Sequence, residues 1–159
     1  MMKRRFLGLL FLSLFAMTGC VAGESQSSFS SPIITSTEEE QETHMRLFID
    51  QRQVAVNWED NPSVKALSAL AANTLTISMH EYGGFEQTGL IGQSIVRDDV
   101  RINVVPGDIV LFQGNQISVF YNQSSWSYTR LGHIPLSHEE MRNLLEKESV
   151  IFELKGEQQ

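Results

Sequence analysis

The chain has 159 residues, 42% of them hydrophobic, and a formal net charge of −7. That length allows one domain with a core of useful size. Lys3, Arg4 and Arg5 stand in the first twenty residues without an acid, so the remainder carries −10; phosphate backbones and anionic lipid heads repel so acidic a surface, which excludes nucleic acid as a partner.

MMKRR is a short basic start, and FLGLLFLSLFA is an apolar run of eleven, the length of a signal-peptide core and too short to span a bilayer. MTGC follows, Met17 to Cys20. Gly19-Cys20 after an apolar run resembles the lipobox of bacterial lipoproteins. That resemblance implies cleavage after residue 19, diacylglycerol on the Cys20 sulfur and acylation of the new amine. Cys20 is the single cysteine, so an intramolecular disulfide is impossible. Several acyl chains anchor stably where one binds marginally. The expected setting is the extracytoplasmic side of the cell envelope, at the outer membrane if there are two. Residues 20–44 then read as a lipidated cysteine and an acidic tether. They are rich in Ser, Thr, Gln and Glu and have no helical or strand period, so they bury too little to offset chain entropy. As a flexible coil this segment reaches about 25–30 Å.

The folded part is expected over 45–155, with 156–159 as a disordered tail. MRLFID alternates as a strand, the chain reverses near Gln51-Arg52, and VAVNW alternates again. Asp60 or Asn61 caps a helix with Pro62 at its first position and Val64, Leu67 and Leu70 or Ala71 on its buried face. LTISM is a strand. Tyr82 to Val100 is poorly patterned and reads as a loop. In RINVVPGDIVLFQGNQISVFYN, strands flank a turn at Pro106-Gly107-Asp108 and a two-residue hairpin at Gly114-Asn115. YTRLGHI is another strand. Ser137 and Glu140 form a capping box for a short helix with Met141, Leu144 and Leu145 inward. VIFEL ends the domain as a strand. The order is β-β-α-β, loop, β-β-β-α-β. The fold class is mainly β with two short helices (α+β), an antiparallel barrel or strongly curled sheet.

The words NPSVKALSAL, MHEYGGFE, PGDIVLFQGNQISVFY and SWSYTRLGHI resemble a family of small bacterial cyclophilin-like domains, and they cover most of 45–154. The resemblance implies a closed cyclophilin-like β-barrel. True cyclophilins isomerise X-Pro bonds with an arginine that donates to the proline nitrogen, beside a pocket of Phe, Met, Trp and His. His80 and Glu81 stand where that arginine's strand is expected, and no arginine is there. Phe120 resembles the pocket phenylalanine and Trp126 the tryptophan beside it.

Gly83-Gly84 reads either as a chain reversal or as a ligand loop whose mouth is lined by Tyr82, Phe85 and Glu86. Gln113 and Asn115 flank the hairpin, as turn residues or as binders of a peptide backbone. Trp126, Tyr128 and Arg130 alternate onto one strand face; an arginine among aromatics suits peptide or carboxylate recognition, or is a stacked structural group. The candidate ligand-binding set is His80, Tyr82, Phe85, Glu86, Gln113, Phe120, Trp126 and Arg130. No catalytic residue is assigned. The histidines form no H-E-x-x-H, and there is no G-x-S-x-G, P-loop or Rossmann glycine set, so no metal or cofactor is expected. The expected function is a membrane-anchored binding module for a peptide, a partner protein or a small molecule. A prolyl isomerase with a non-standard catalytic group and a structural envelope component are the alternatives.

Overall fold

The computed structural model describes residues 45–156. The signal peptide, Cys20, the tether and the last three residues of the expected tail lie outside the described residues. Within them there are ten strands and two helices. The strands are β1 (Met45–Ile49), β2 (Arg52–Val54), β3 (Asn57–Trp58), β4 (Leu75–Tyr82), β5 (Glu86–Leu90), β6 (Val100–Val104), β7 (Asp108–Phe112), β8 (Gln116–Phe120), β9 (Ser124–His133) and β10 (Ser149–Gly156); the helices are α1 (Pro62–Ala71) and α2 (His138–Leu145).

All strand pairs are antiparallel, in the order β2-β1-β10-β4-β5-β8-β7-β9-β3, with β6 also on β9. The sheet curls into a half-barrel instead of the closed barrel expected. Its two ends, β2 and β3, belong to one segment whose alternation reads as a single strand. Arg52–Val54 pairs with β1 and Asn57–Trp58 pairs with β9, so the chain changes partner across Ala55-Val56, which lie in neither strand. So short a strand cannot bond both neighbours along its length, and the ladder is interrupted there. The Trp58 indole donates to the Met45 carbonyl at 3.1 Å across the gap.

Alternation decides the two faces of the sheet. Leu47, Ile49, Ile77, Met79, Ile109, Leu111, Ile117, Val119, Phe152 and Leu154 point inward and form the main core. Both helices close it. Asn61 caps α1, accepting from the Val64 amide at 2.9 Å, and Val64, Leu67 and Ala71 are buried. Ser137 and Glu140 make the capping box of α2, which buries Met141, Leu144 and Leu145.

The stretch expected as a loop contains β5, which lies between β4 and β8. Its sequence, EQTGL, hides this because its inward positions are not apolar. Gln87 is fully buried, and its amide donates to the Leu145 and Lys147 carbonyls at 2.8 and 2.6 Å, satisfying backbone at the end of α2. Gly89 is packed so closely that a Cβ there would strike the Ile77 side chain and the Ser78 carbonyl. The β7–β8 reversal is also displaced by one residue. Gln113 and Gly114 have positive φ (50° and 81°), where Gly114-Asn115 was expected at the centre.

Candidate functional site

A second, smaller cluster lies on the outer face of the sheet. It holds Val104, Val110, Phe120 and Tyr128, with Phe85, Ile102 and Phe112 packed against it. The cause is again alternation: Phe120 and Ser118 on β8, Val110 and Phe112 on β7, and Glu86 and Thr88 on β5 all face away from the main core. The register places Glu86 opposite Phe120, Thr88 opposite Ser118, and Ser118 opposite Val110. The β6–β9 ribbon pairs Ile102 with Trp126 and Val104 with Ser124, and it packs over this face through Tyr128.

The ribbon and the β4–β5 turn leave a cleft of about 520 Å³ between them. Its walls are Tyr82, Phe85, Phe112, Trp126 and Tyr128; Glu86, Thr88 and Ser118 give it a polar floor, and Gln116, Ser124 and Ser125 complete its lining. The rings form a chain of contacts. Tyr82 stands edge-on to Phe85 (6.0 Å, 88°), Phe85 stacks on Phe120 (6.2 Å, 5°), and Tyr128 meets both Phe120 (5.7 Å, 65°) and Phe112 (5.9 Å, 65°). Trp126 is 56% exposed and Tyr82 62%. Both therefore offer apolar surface to solvent at a site already walled by aromatics.

Glu86 is the unusual group. It is 5% exposed, and its Oε2 is buried with no hydrogen-bond partner among the described residues. Burial pushes its carboxyl above the usual glutamate range, and the nearby Ser118 hydroxyl only partly opposes this. Ser118 has one proton, and its geometry gives that proton to Thr88 Oγ1 at 3.0 Å. Burial, and secondarily the Glu86 charge, also raises the Tyr128 phenol.

The double glycine is a chain reversal. Gly83 and Gly84 have φ of +66° and +75°, a region that side chains disfavour, and Tyr82 pairs with Glu86 across the turn. The Gly84 amide donates to Glu81, which also accepts from the Tyr121 hydroxyl at 3.3 Å. Asn122 Nδ2 donates to the Gly84 carbonyl at 2.8 Å. The Gly84 amide that a ligand loop would offer is thus taken, and the turn fixes Tyr82 and Phe85 at the edge of the cleft. Burial, reinforced by Glu81, pushes the Tyr121 phenol up to about 12.

Of the eight candidate residues, Tyr82, Phe85, Glu86 and Trp126 line the cleft. Phe120 is fully buried beneath its wall. His80 lies in a neighbouring depression with Thr76, Ser78 and Leu90. Gln113 is exposed at the β7–β8 turn. Arg130 shares the outward parity of Tyr128, but its guanidinium is held by the buried Asp108 carboxylate at 2.6 Å. His133 Nδ1 lies 2.9 Å from the same oxygen, and Asp108 Oδ2 accepts from the Val105 amide at 3.0 Å. This cluster fastens the Pro106-Gly107-Asp108 turn. Thr88, Phe112, Gln116, Ser118 and Tyr128 were not singled out as ligand-binding. Tyr128 was legible from its alternation with Trp126; Thr88 and Ser118 needed the strand register. Among the described residues no group of three His, Cys, Asp or Glu side chains gathers as a metal site needs.

An antiparallel sheet curled around an apolar core and closed by two helices is consistent with a cyclophilin-like fold. The chain belongs to the cyclophilin-like family, whose model matches residues 47–155. The comparison with curated proteins returned no match.

Proposed function

We propose that this domain is a binding module that takes a peptide, a partner protein or a small molecule in the outer-face cleft, and that it is held on the extracytoplasmic side of a membrane by lipid on Cys20. The observation that carries the binding reading is the cleft itself. A concave, aromatic-walled space with a few convergent polar groups is the usual form of a ligand site. A purely structural envelope component has no use for an exposed Trp126 and a buried, unpartnered carboxyl at the same place.

The isomerase alternative has weaker support. Catalysis requires a donor aimed at the proline nitrogen as it loses conjugation, because binding both ground states equally gains no rate. Among the described residues no Arg, Lys or His lines the cleft, and Arg130 is engaged by Asp108.

Trp126 supplies the test. Trp58 is the only other tryptophan, so two indole N–H resonances report on the whole protein. Short peptides and small-molecule fragments are titrated against them. Saturable shifts of the Trp126 signal, lost in Phe112→Ala, are expected. A diverse set that leaves Trp126 unmoved sinks the binding reading. The anchor rests on Gly19-Cys20 following an apolar run. Intact-mass measurement of membrane-extracted protein should find acyl mass on Cys20, and Cys20→Ser should abolish it.

A further inference from the structure

Among the described residues, Glu86 is a buried acid without a counter-charge. Its Oε2 has no partner among the described residues, and none of their basic side chains lines the cleft around it. A buried carboxylate left in this condition is costly, and proteins pair such groups. The rings around it meet at steep angles. Tyr82 and Phe85 stand at 88°, and Phe112 and Tyr128 at 65°, so they form corners instead of a flat platform. Ring faces carry negative potential and attract cations, most strongly those with bulky, weakly hydrated substituents.

We propose that the cleft takes an organic cation, an ammonium group whose charge is met by Glu86 and whose alkyl carbons lie against Tyr82, Phe85, Tyr128 and Trp126. This rests on the ligand-binding reading of the same cleft and names its chemistry. An anionic ligand would be repelled by Glu86, and a neutral apolar one would seal its carboxyl away still unpaired. An ammonium group satisfies both the carboxyl and the rings. The volume of about 520 Å³ admits a small alkylammonium or the end of a lysine side chain with its neighbours. The rise that burial causes in the Glu86 carboxyl is of the kind an approaching cation reverses, so binding and ionisation of Glu86 support each other.

The test is calorimetric titration of the purified protein with three probes: choline, its neutral carbon isostere 3,3-dimethylbutan-1-ol, and a short peptide carrying one lysine. Choline or the lysine peptide should bind, and the isostere about tenfold more weakly or worse. Glu86→Gln should weaken the cation by about tenfold or more while its thermal midpoint stays at or above that of the parent, which separates lost binding from lost folding. Choline alone binding assigns a free small molecule as the source of the ammonium group; the peptide alone assigns a lysine side chain. Equal affinity for choline and its isostere, or unchanged affinity in Glu86→Gln, overturns the cation while leaving the cleft a binding site. Failure of all three probes also overturns it. The wider binding reading then stands or falls separately, on the Trp126 screen.

Discussion

Replacing Glu86 with glutamine should stabilise the protein, and by an amount that depends on pH. Glu86 is 5% exposed with Oε2 unpartnered. Leaving one buried polar group unsatisfied costs about 1–3 kcal/mol, and more when it is charged. The glutamine amide inherits part of that cost, so the gain should be about 1–2 kcal/mol at neutral pH. For a domain of this size that is roughly 5–10 °C in Tm. The sign follows from the direction of the shift. Burial raises the folded carboxyl above its unfolded value, so the folded state binds the proton more tightly than the unfolded state. Stability from this group is fully present below the unfolded value, about 4.3, and is lost as pH rises through the higher folded value. The parent and Glu86→Gln should therefore be nearly equal near pH 4 and diverge above it, with the variant ahead. Urea unfolding of both proteins at several pH values between 4 and 8 reads this directly, and other titrating groups cancel in the difference. A difference that is constant with pH, or a variant less stable throughout, would refute the reasoning. A gain in stability coupled to lost binding is what a site that holds a strained group for its ligand should show.

The turn glycines should respond unequally. Gly83→Ala combines positive φ with a Cβ that strikes the Phe85 ring, whereas Gly84→Ala meets open space, so losses of about 2–3 and about 1 kcal/mol are expected on thermal unfolding. Gln87→Leu removes two donors to the backbone at the end of α2 and should cost about 2 kcal/mol in urea unfolding without changing the Trp126 response; a loss under about 0.5 kcal/mol would mean these bonds contribute little. NMR exchange on an X-Pro peptide should show no acceleration over the uncatalysed rate. Turnover that vanishes in Arg130→Ala would restore the isomerase reading; the expected result for that variant is only a loss of about 1.5–3 kcal/mol, because Asp108 loses one charged partner and keeps His133 and the Val105 amide.

Much of the fold was written locally. Asn61 before Pro62, and Ser137 three residues before Glu140, announce their helices because caps act within one turn of backbone. The strands with apolar inward faces were visible by period. β5 was not, because Gln87 and Gly89 occupy inward positions for reasons that lie in other elements: the end of α2 for one, the packing of β4 for the other. The break between β2 and β3 was equally hidden, since Val54, Val56 and Trp58 alternate whether or not the strand changes partner.

The site divides along the same line. The sequence alone determined that aromatic and acidic residues cluster at Tyr82–Glu86, that Trp126 and Tyr128 share a strand face, and that the chain resembles the family to which it belongs. Only the tertiary structure decided which of these meet. Strand register set Glu86 against Phe120, and the β6–β9 ribbon folded Trp126 and Tyr128 over the same face, while Asp108 drew Arg130 to the turn instead. Local patterns report which way a side chain points from its own strand. A cleft depends on which strands are neighbours and in what register, and those are settled by long-range pairing and core packing.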